Sequence, residues 1–108
     1  MEKVYNKLVR DKIPEIIKNN NEIPIVRILS DEEFKKELYK KLLEECNEVL
    51  QSESSDNVIE ELANVLEIVK SISKLEGKCL DDVIEIADKK RAKRGEFEKR
   101  IFLEKTIK

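Results

Sequence analysis

The chain has 108 residues, of which 43% are charged and 40% hydrophobic, with a formal net charge of −2. That length holds one domain, residues 1–108, and the absence of histidine excludes any imidazole base or ligand. The near-neutral total conceals an asymmetry: residues 30–88 carry 17 acidic and 7 basic side chains, whereas residues 89–108 carry 9 basic and 3 acidic.

With only two Gly and two Pro, few breaks are expected and the helices should be long. From Val4 to Asn20 the pattern predicts a short helix with an irregular start. Pro14 suits its first turn, and the Asn19-Asn20-Asn21 run stops it. Glu22 to Leu29 is rich in β-branched residues (Ile23, Ile25, Val26, Ile28) but contains Pro24, which predicts an extended segment or an edge strand. Ser30 then opens a second helix through a capping box with Glu33, and Phe34, Leu38, Leu42, Leu43, Cys46, Val49 and Leu50 carry it to about Gln51. Cys46 on that apolar face is expected to be a buried free thiol, with no metal-type pairing to Cys79.

Ser52 to Asp56 reads as a polar loop, with Asp56 as the N-cap of the next helix. From Asn57 to Glu76 the sequence is apolar nearly all round, as expected of a bundle centre or an oligomer interface, and Gly77 stops it as a C′ residue. A last helix is expected from about Leu80 to Arg94, with Gly95 as its stop. Its stripe of Val83, Ala87, Lys90 and Arg94 turns from apolar to cationic. Beyond it, Phe97, Ile101 and Leu103 look extended. The expected architecture is all-α, a compact bundle of about four helices with short extended segments near 22–29 and 97–103.

No hydrophobic run approaches the roughly 20 residues needed to span a bilayer, and the N-terminus lacks a signal-peptide core, so no membrane association and a cytoplasmic location are expected. Nucleic acid is an unlikely partner: the basic C-terminal segment offers only Phe97 and Phe102 for stacking and no recognised motif.

The chemistry lies in Glu44-Glu45-x-x-Glu48 on one predicted helix and Glu61-x-x-Asn64 on the next. Residues three or four apart share a helix face. Glu45 has Leu38, Leu42 and Val49 as same-face neighbours, and Glu61 has Val58, Val65, Ile68 and Ile72. Both glutamates therefore interrupt apolar stripes, where a carboxylate is costly unless paired or bound to a cation. Glutamate-rich exposed surface would account for Glu44 and Glu48 but not for Glu45 and Glu61. Two such carboxylates on neighbouring helices point to a hard-metal site, and a magnesium site points to phosphate chemistry.

These residues resemble the EExxE…ExxD signature of the all-α nucleoside triphosphate pyrophosphohydrolases, a group that includes MazG, the dimeric dUTPases and phosphoribosyl-ATP pyrophosphohydrolase. Tyr5-Asn6-Lys7-Leu8-Val9-Arg10-Asp11-Lys12-Ile13-Pro14 looks like the opening of the MazG-like, phosphoribosyl-ATP pyrophosphohydrolase-like branch. Lys90-x-x-x-Arg94-Gly95-x-Phe97, with Arg100, resembles that branch's C-terminal motif. The sequence departs from the pattern at one position, where Asn64 stands in place of the family's aspartate; an amide oxygen still coordinates a cation but brings no charge.

The resemblance implies Mg2+-dependent cleavage of an NTP or dNTP to the monophosphate and pyrophosphate, of a house-cleaning kind, with Mn2+ as a possible substitute ion. It implies metal ligation by Glu45, Glu48, Glu61 and Asn64, with Glu45 catalytic through its metal and Glu44 as a further ligand or as the residue orienting the attacking water. Lys90 and Arg94 would hold the phosphates or the leaving pyrophosphate, with Lys7 and Arg10 as further substrate-binding cations. It further implies a homodimer or dimer of dimers. Two alternatives stand beside it: phosphoribosyl-ATP as substrate, and a catalytically impaired nucleotide-binding or regulatory helical module. Glu60 or Glu67 is a candidate replacement for the missing aspartate.

Overall fold

The computed structural model describes residues 1–108 and contains four α-helices and no strand. They are α1 (Ile13–Asn19), α2 (Asp31–Gln51), α3 (Ser55–Leu75) and α4 (Leu80–Arg94). The first helix is shorter than its apolar pattern, because residues before Ile13 take no regular structure and Pro14 sits in its first turn. The asparagine run does end it: Asn21 adopts the left-handed region, which asparagine tolerates, at φ 64°.

Helix α2 begins as its sequence predicts. The Glu33 backbone N–H donates to Ser30 Oγ at 3.2 Å, and the Ser30 backbone N–H donates to the Glu33 carboxylate at 3.3 Å. Arg27 reinforces this cap by donating to Glu33 Oε2 at 2.9 Å. Helix α3 is capped by Ser54, not by Asp56: the Asn57 backbone N–H donates to Ser54 Oγ at 3.2 Å, which leaves Asp56 in the first turn, where its charge faces the positive end of the helix dipole. Gly77 closes α3 at φ 74°, with the Lys78 N–H reaching the Ser73 carbonyl at 2.9 Å and the Gly77 N–H reaching the Lys74 carbonyl at 3.0 Å.

Helices α2 and α3 form an antiparallel hairpin, pinned at its open end by Lys35 and Glu76 at 3.4 Å. Their contact buries Leu38 and Ile68, with Ser73 buried beside them and its hydroxyl donating to the Val69 carbonyl at 2.7 Å. Helix α4 packs on α3 alone, and α1 packs on none of the other helices. The N-terminal segment is instead tied to the hairpin through Lys7 and Arg10.

The all-α bundle is thus as expected, its compact part made by α2, α3 and α4. The radius of gyration is 18.7 Å, against ~13 Å for a compact chain of this length, because the flanking segments reach away. Residues 22–29 form no strand: Ile23, Ile25, Val26 and Ile28 all stay exposed, since nothing in the chain offers an edge to pair with. Residues 97–103 do not run straight either. The Arg100 N–H turns back to the Phe97 carbonyl at 3.3 Å, with Arg100 at φ 56°. No helix is long and apolar enough to cross a membrane.

Candidate functional site

Glu45 and Glu61 face each other across the α2–α3 interface at the loop end of the hairpin. Both are half-buried, as their apolar neighbours require. The carboxyls of Glu45 and Glu61 come into close apposition there. Burial in the first place, and then this contact and the Glu61 charge, raise the Glu45 pKa against the opposing pull of Lys41. An ionised carboxylate only accepts hydrogen bonds, so a proton on one of the pair or a cation between them would relieve the contact.

Asn64, one turn beyond Glu61 and half-buried, completes the row. Its amide Nδ2 donates to Glu61 Oε2 at 3.3 Å, while its Oδ1 accepts from Arg10 Nη2 at 2.9 Å. The amide therefore presents its N–H side to Glu61 and its oxygen to the N-terminal segment. In this orientation Asn64 supports Glu61 rather than offering a ligand beside it. Lys7 reaches Glu44 at 3.8 Å. Glu48 is exposed and joins Glu61 in lining an open, wholly polar cleft of about 400 Å³, whose rim is Gln51, Ser52, Glu53 and Asn57.

No three acidic or thiol side chains converge as a ready ligand set. Of the residues present, Glu45 and Glu61 are the ones that would supply oxygen ligands to a hard cation. That ion usually takes one or two protein carboxylates and fills its octahedron with water and substrate phosphate oxygens. Two carboxylates pressed together and partly withdrawn from water are relieved by a divalent cation, and the cleft beside Glu48 and Glu61 leaves room for its other ligands.

The structure thus brings together Glu45, Glu61, Asn64 and Arg10, sets Glu48 on the same cleft, and places Lys7 on Glu44. It does not bring Lys90 and Arg94 to them: α4 makes no contact with α2, and both cations stand exposed without an acidic partner. Cys46 is exposed, contrary to its expected burial, because it lies on the side of α2 turned away from α3. The Arg10–Asn64 link joins residues 54 apart in sequence, and no local signal in either stretch announces it. Lys41, the cation that tempers Glu45, was likewise invisible as a participant because lysines recur along the outer face of α2.

No family model matches the chain, and no solved structure matches it. It is 42% identical over 53 residues to an uncharacterized protein of Mycolicibacterium smegmatis, a match covering 49% of this chain and 54% of that protein. The chain thus spans about half the length of this curated relative, whose printed name assigns no activity.

Proposed function

We propose that the protein is a Mg2+-dependent nucleoside triphosphate pyrophosphohydrolase, cleaving an NTP or dNTP to the monophosphate and pyrophosphate. The observation that carries this reading is the Glu45–Glu61 carboxyl pair, half-buried and facing across two helices. It is what a site for a hard cation and its phosphate ligand requires, and it falls on the residues of the resembling motif. Glu45 and Glu61 would hold the ion, with Glu48 from the cleft wall. When bound, magnesium would lower the pKa of the attacking water and offset phosphate charge.

The chain's own residues supply the remainder. Glu44, half-buried next to Glu45 and paired with Lys7, would orient the attacking water. Lys7 and Arg10 bring positive charge from the N-terminal segment to the edge of the acidic face, where a polyphosphate would sit. Lys90 and Arg94 would serve from α4, either after movement or from a second copy of the chain.

Self-association fits the surface. The chain exposes 10462 Å², whereas a compact monomer of this size exposes ~6,200 Å². Leu43 and Leu50 on α2, and Ile59, Leu62 and Leu66 on α3, are between 47% and 82% exposed. A homodimer or dimer of dimers would cover these faces.

One observation favours a second reading, a nucleotide-binding or regulatory module without turnover. Asn64 is committed as a donor to Glu61 and an acceptor from Arg10, so it adds neither charge nor oxygen to the candidate site. Pyrophosphate release from a panel of NTPs, dNTPs and phosphoribosyl-ATP, with and without magnesium, tests both. Metal-dependent release that disappears in Glu61→Ala supports the enzyme and ranks its substrates, phosphoribosyl-ATP included. Silence in the natural chain with activity in Asn64→Asp supports the module. Silence in both removes the catalytic reading for these substrates.

A further inference from the structure

The N-terminal segment, Met1–Lys12, has no regular secondary structure, yet it is held against the hairpin at two points. Lys7 meets Glu44 on α2 at 3.8 Å, and Arg10 meets Asn64 on α3 at 2.9 Å. The second contact fixes the orientation of a side chain. A guanidinium only donates, so Asn64 must turn its oxygen to Arg10, and its NH2 is then left facing Glu61. That is the wrong face for a cation at Glu61, because an amide ligates through oxygen and its N–H side opposes a positive ion. Arg10 also places a fixed positive charge on the far side of the same amide. A divalent ion between Glu45 and Glu61 would therefore draw Asn64 round by half a turn, and the rotated amide would point N–H at the guanidinium. The two arrangements exclude each other.

We propose that the Arg10–Asn64 contact is a latch which a divalent cation at the Glu45–Glu61 pair opens, freeing the N-terminal segment and turning the Asn64 oxygen toward the ion. The latch rests on the metal reading given above. In the closed state the segment lies on the acidic face, with its charges neutralising part of it. In the open state Lys7 and Arg10 are free to meet an anionic ligand of the ion, and cation binding is coupled to the order of a segment remote in sequence. Coupling of this kind is reciprocal: the cation weakens the latch by the same factor by which the closed latch weakens the cation.

The test uses the full chain labelled with 15N and titrated with Mg2+, no nucleotide being present. Its readouts are the resonances around Glu45, Glu61 and the Asn64 side-chain amide, and the heteronuclear NOE of Val9 and Arg10. The expected result is perturbation at the glutamates, a shifted Asn64 amide, and NOE values for the segment that fall to those of a mobile chain on saturation. Arg10→Ala should bind Mg2+ about fivefold more tightly than Lys7→Ala, the low end of ordinary coupling between sites. Lys7→Ala removes the same charge from the same segment without touching Asn64, so it subtracts simple electrostatics. If Mg2+ perturbs Glu45 and Glu61 while the segment stays ordered and the two variants bind alike, the latch is overturned and the cation site stands. If Mg2+ leaves both glutamates unperturbed, the cation site and the latch fall together.

Discussion

The carboxyl of Glu45 on α2 lies against the carboxyl of Glu61 on α3, two acidic groups meeting across the only extensive helix interface in the molecule. Burial and the neighbouring Glu61 both disfavour the charged form of Glu45 and raise its pKa. Replacing one acid by its amide removes the repulsion and supplies an N–H donor to the remaining carboxylate. Glu45→Gln should therefore stabilise the metal-free protein at pH 7 by roughly 1 kcal/mol. It should also lose most of the stabilisation that added Mg2+ gives the natural chain. Urea unfolding with and without Mg2+ checks both; a destabilised metal-free variant would show the pair to be supportive rather than strained.

The cap of α2 predicts an acid dependence. Hydrogen bonds from Arg27, first, and from Ser30 hold Glu33 down at about 2. A carboxylate lowered by folding adds stability above its ordinary range, and that contribution is lost as pH falls through the folded value. Unfolding midpoints of the natural chain should thus decline between the ordinary carboxylate range and about pH 2. Glu33→Gln should be the less stable form at neutral pH and should converge on the natural chain at the acid end. Asp82, lowered by the Cys79 backbone N–H at the start of α4, adds in the same direction. Ser30→Ala should cost about 1 kcal/mol at neutral pH by removing the other half of the box.

Core and surface positions on α3 should respond differently. Ile68 is 6% exposed against α2, so Ile68→Ala should cost about 3 kcal/mol through lost burial and a cavity. Leu66, 51% exposed on the single chain, should cost little if the chain works alone. With a second copy covering that face, Leu66→Lys should convert the assembly to monomers while the far-ultraviolet helical signal persists. Sedimentation velocity over a concentration series reads this directly; a natural chain that sediments as a monomer throughout would leave the apolar face unexplained by self-association.

Lys90 and Arg94 make no contact with the acidic pair within one chain. If they serve the phosphates, Lys90→Ala and Arg94→Ala should raise KM for the nucleotide about tenfold with a smaller loss in kcat. Thermal stability should stay unchanged, since neither side chain has an ion-pair partner to lose. Unaltered KM in both variants would confine the substrate cations to the N-terminal segment.

Much of this architecture is written locally. The Ser30–Glu33 box, the start and stop of α4 and the Gly77 terminus follow from short-range patterns that tertiary packing leaves untouched. The facing of Glu45 and Glu61 was legible too, because a helix fixes the phase of its side chains and both glutamates fall in apolar stripes. The local pattern puts the cap of α3 two residues late, at Asp56, since Ser54 and Asp56 are both good caps and only the path of the loop chooses between them. Cys46 is exposed despite its apolar neighbours because α2 buries a narrower stripe than its apolar residues suggest. The Arg10–Asn64 contact is a property of the tertiary path alone, and so is the separation of Lys90 and Arg94 from the glutamates.

The most direct measurement is the 31P spectrum of a dNTP incubated with the natural chain and Mg2+, with Glu61→Ala in parallel. Cleavage between the α- and β-phosphates should give the monophosphate and pyrophosphate resonances in equal amounts, only with Mg2+ and only from the natural chain. Diphosphate with orthophosphate, or pyrophosphate that persists in Glu61→Ala, would contradict the assignment of the Glu45–Glu61 pair as the site of pyrophosphohydrolysis.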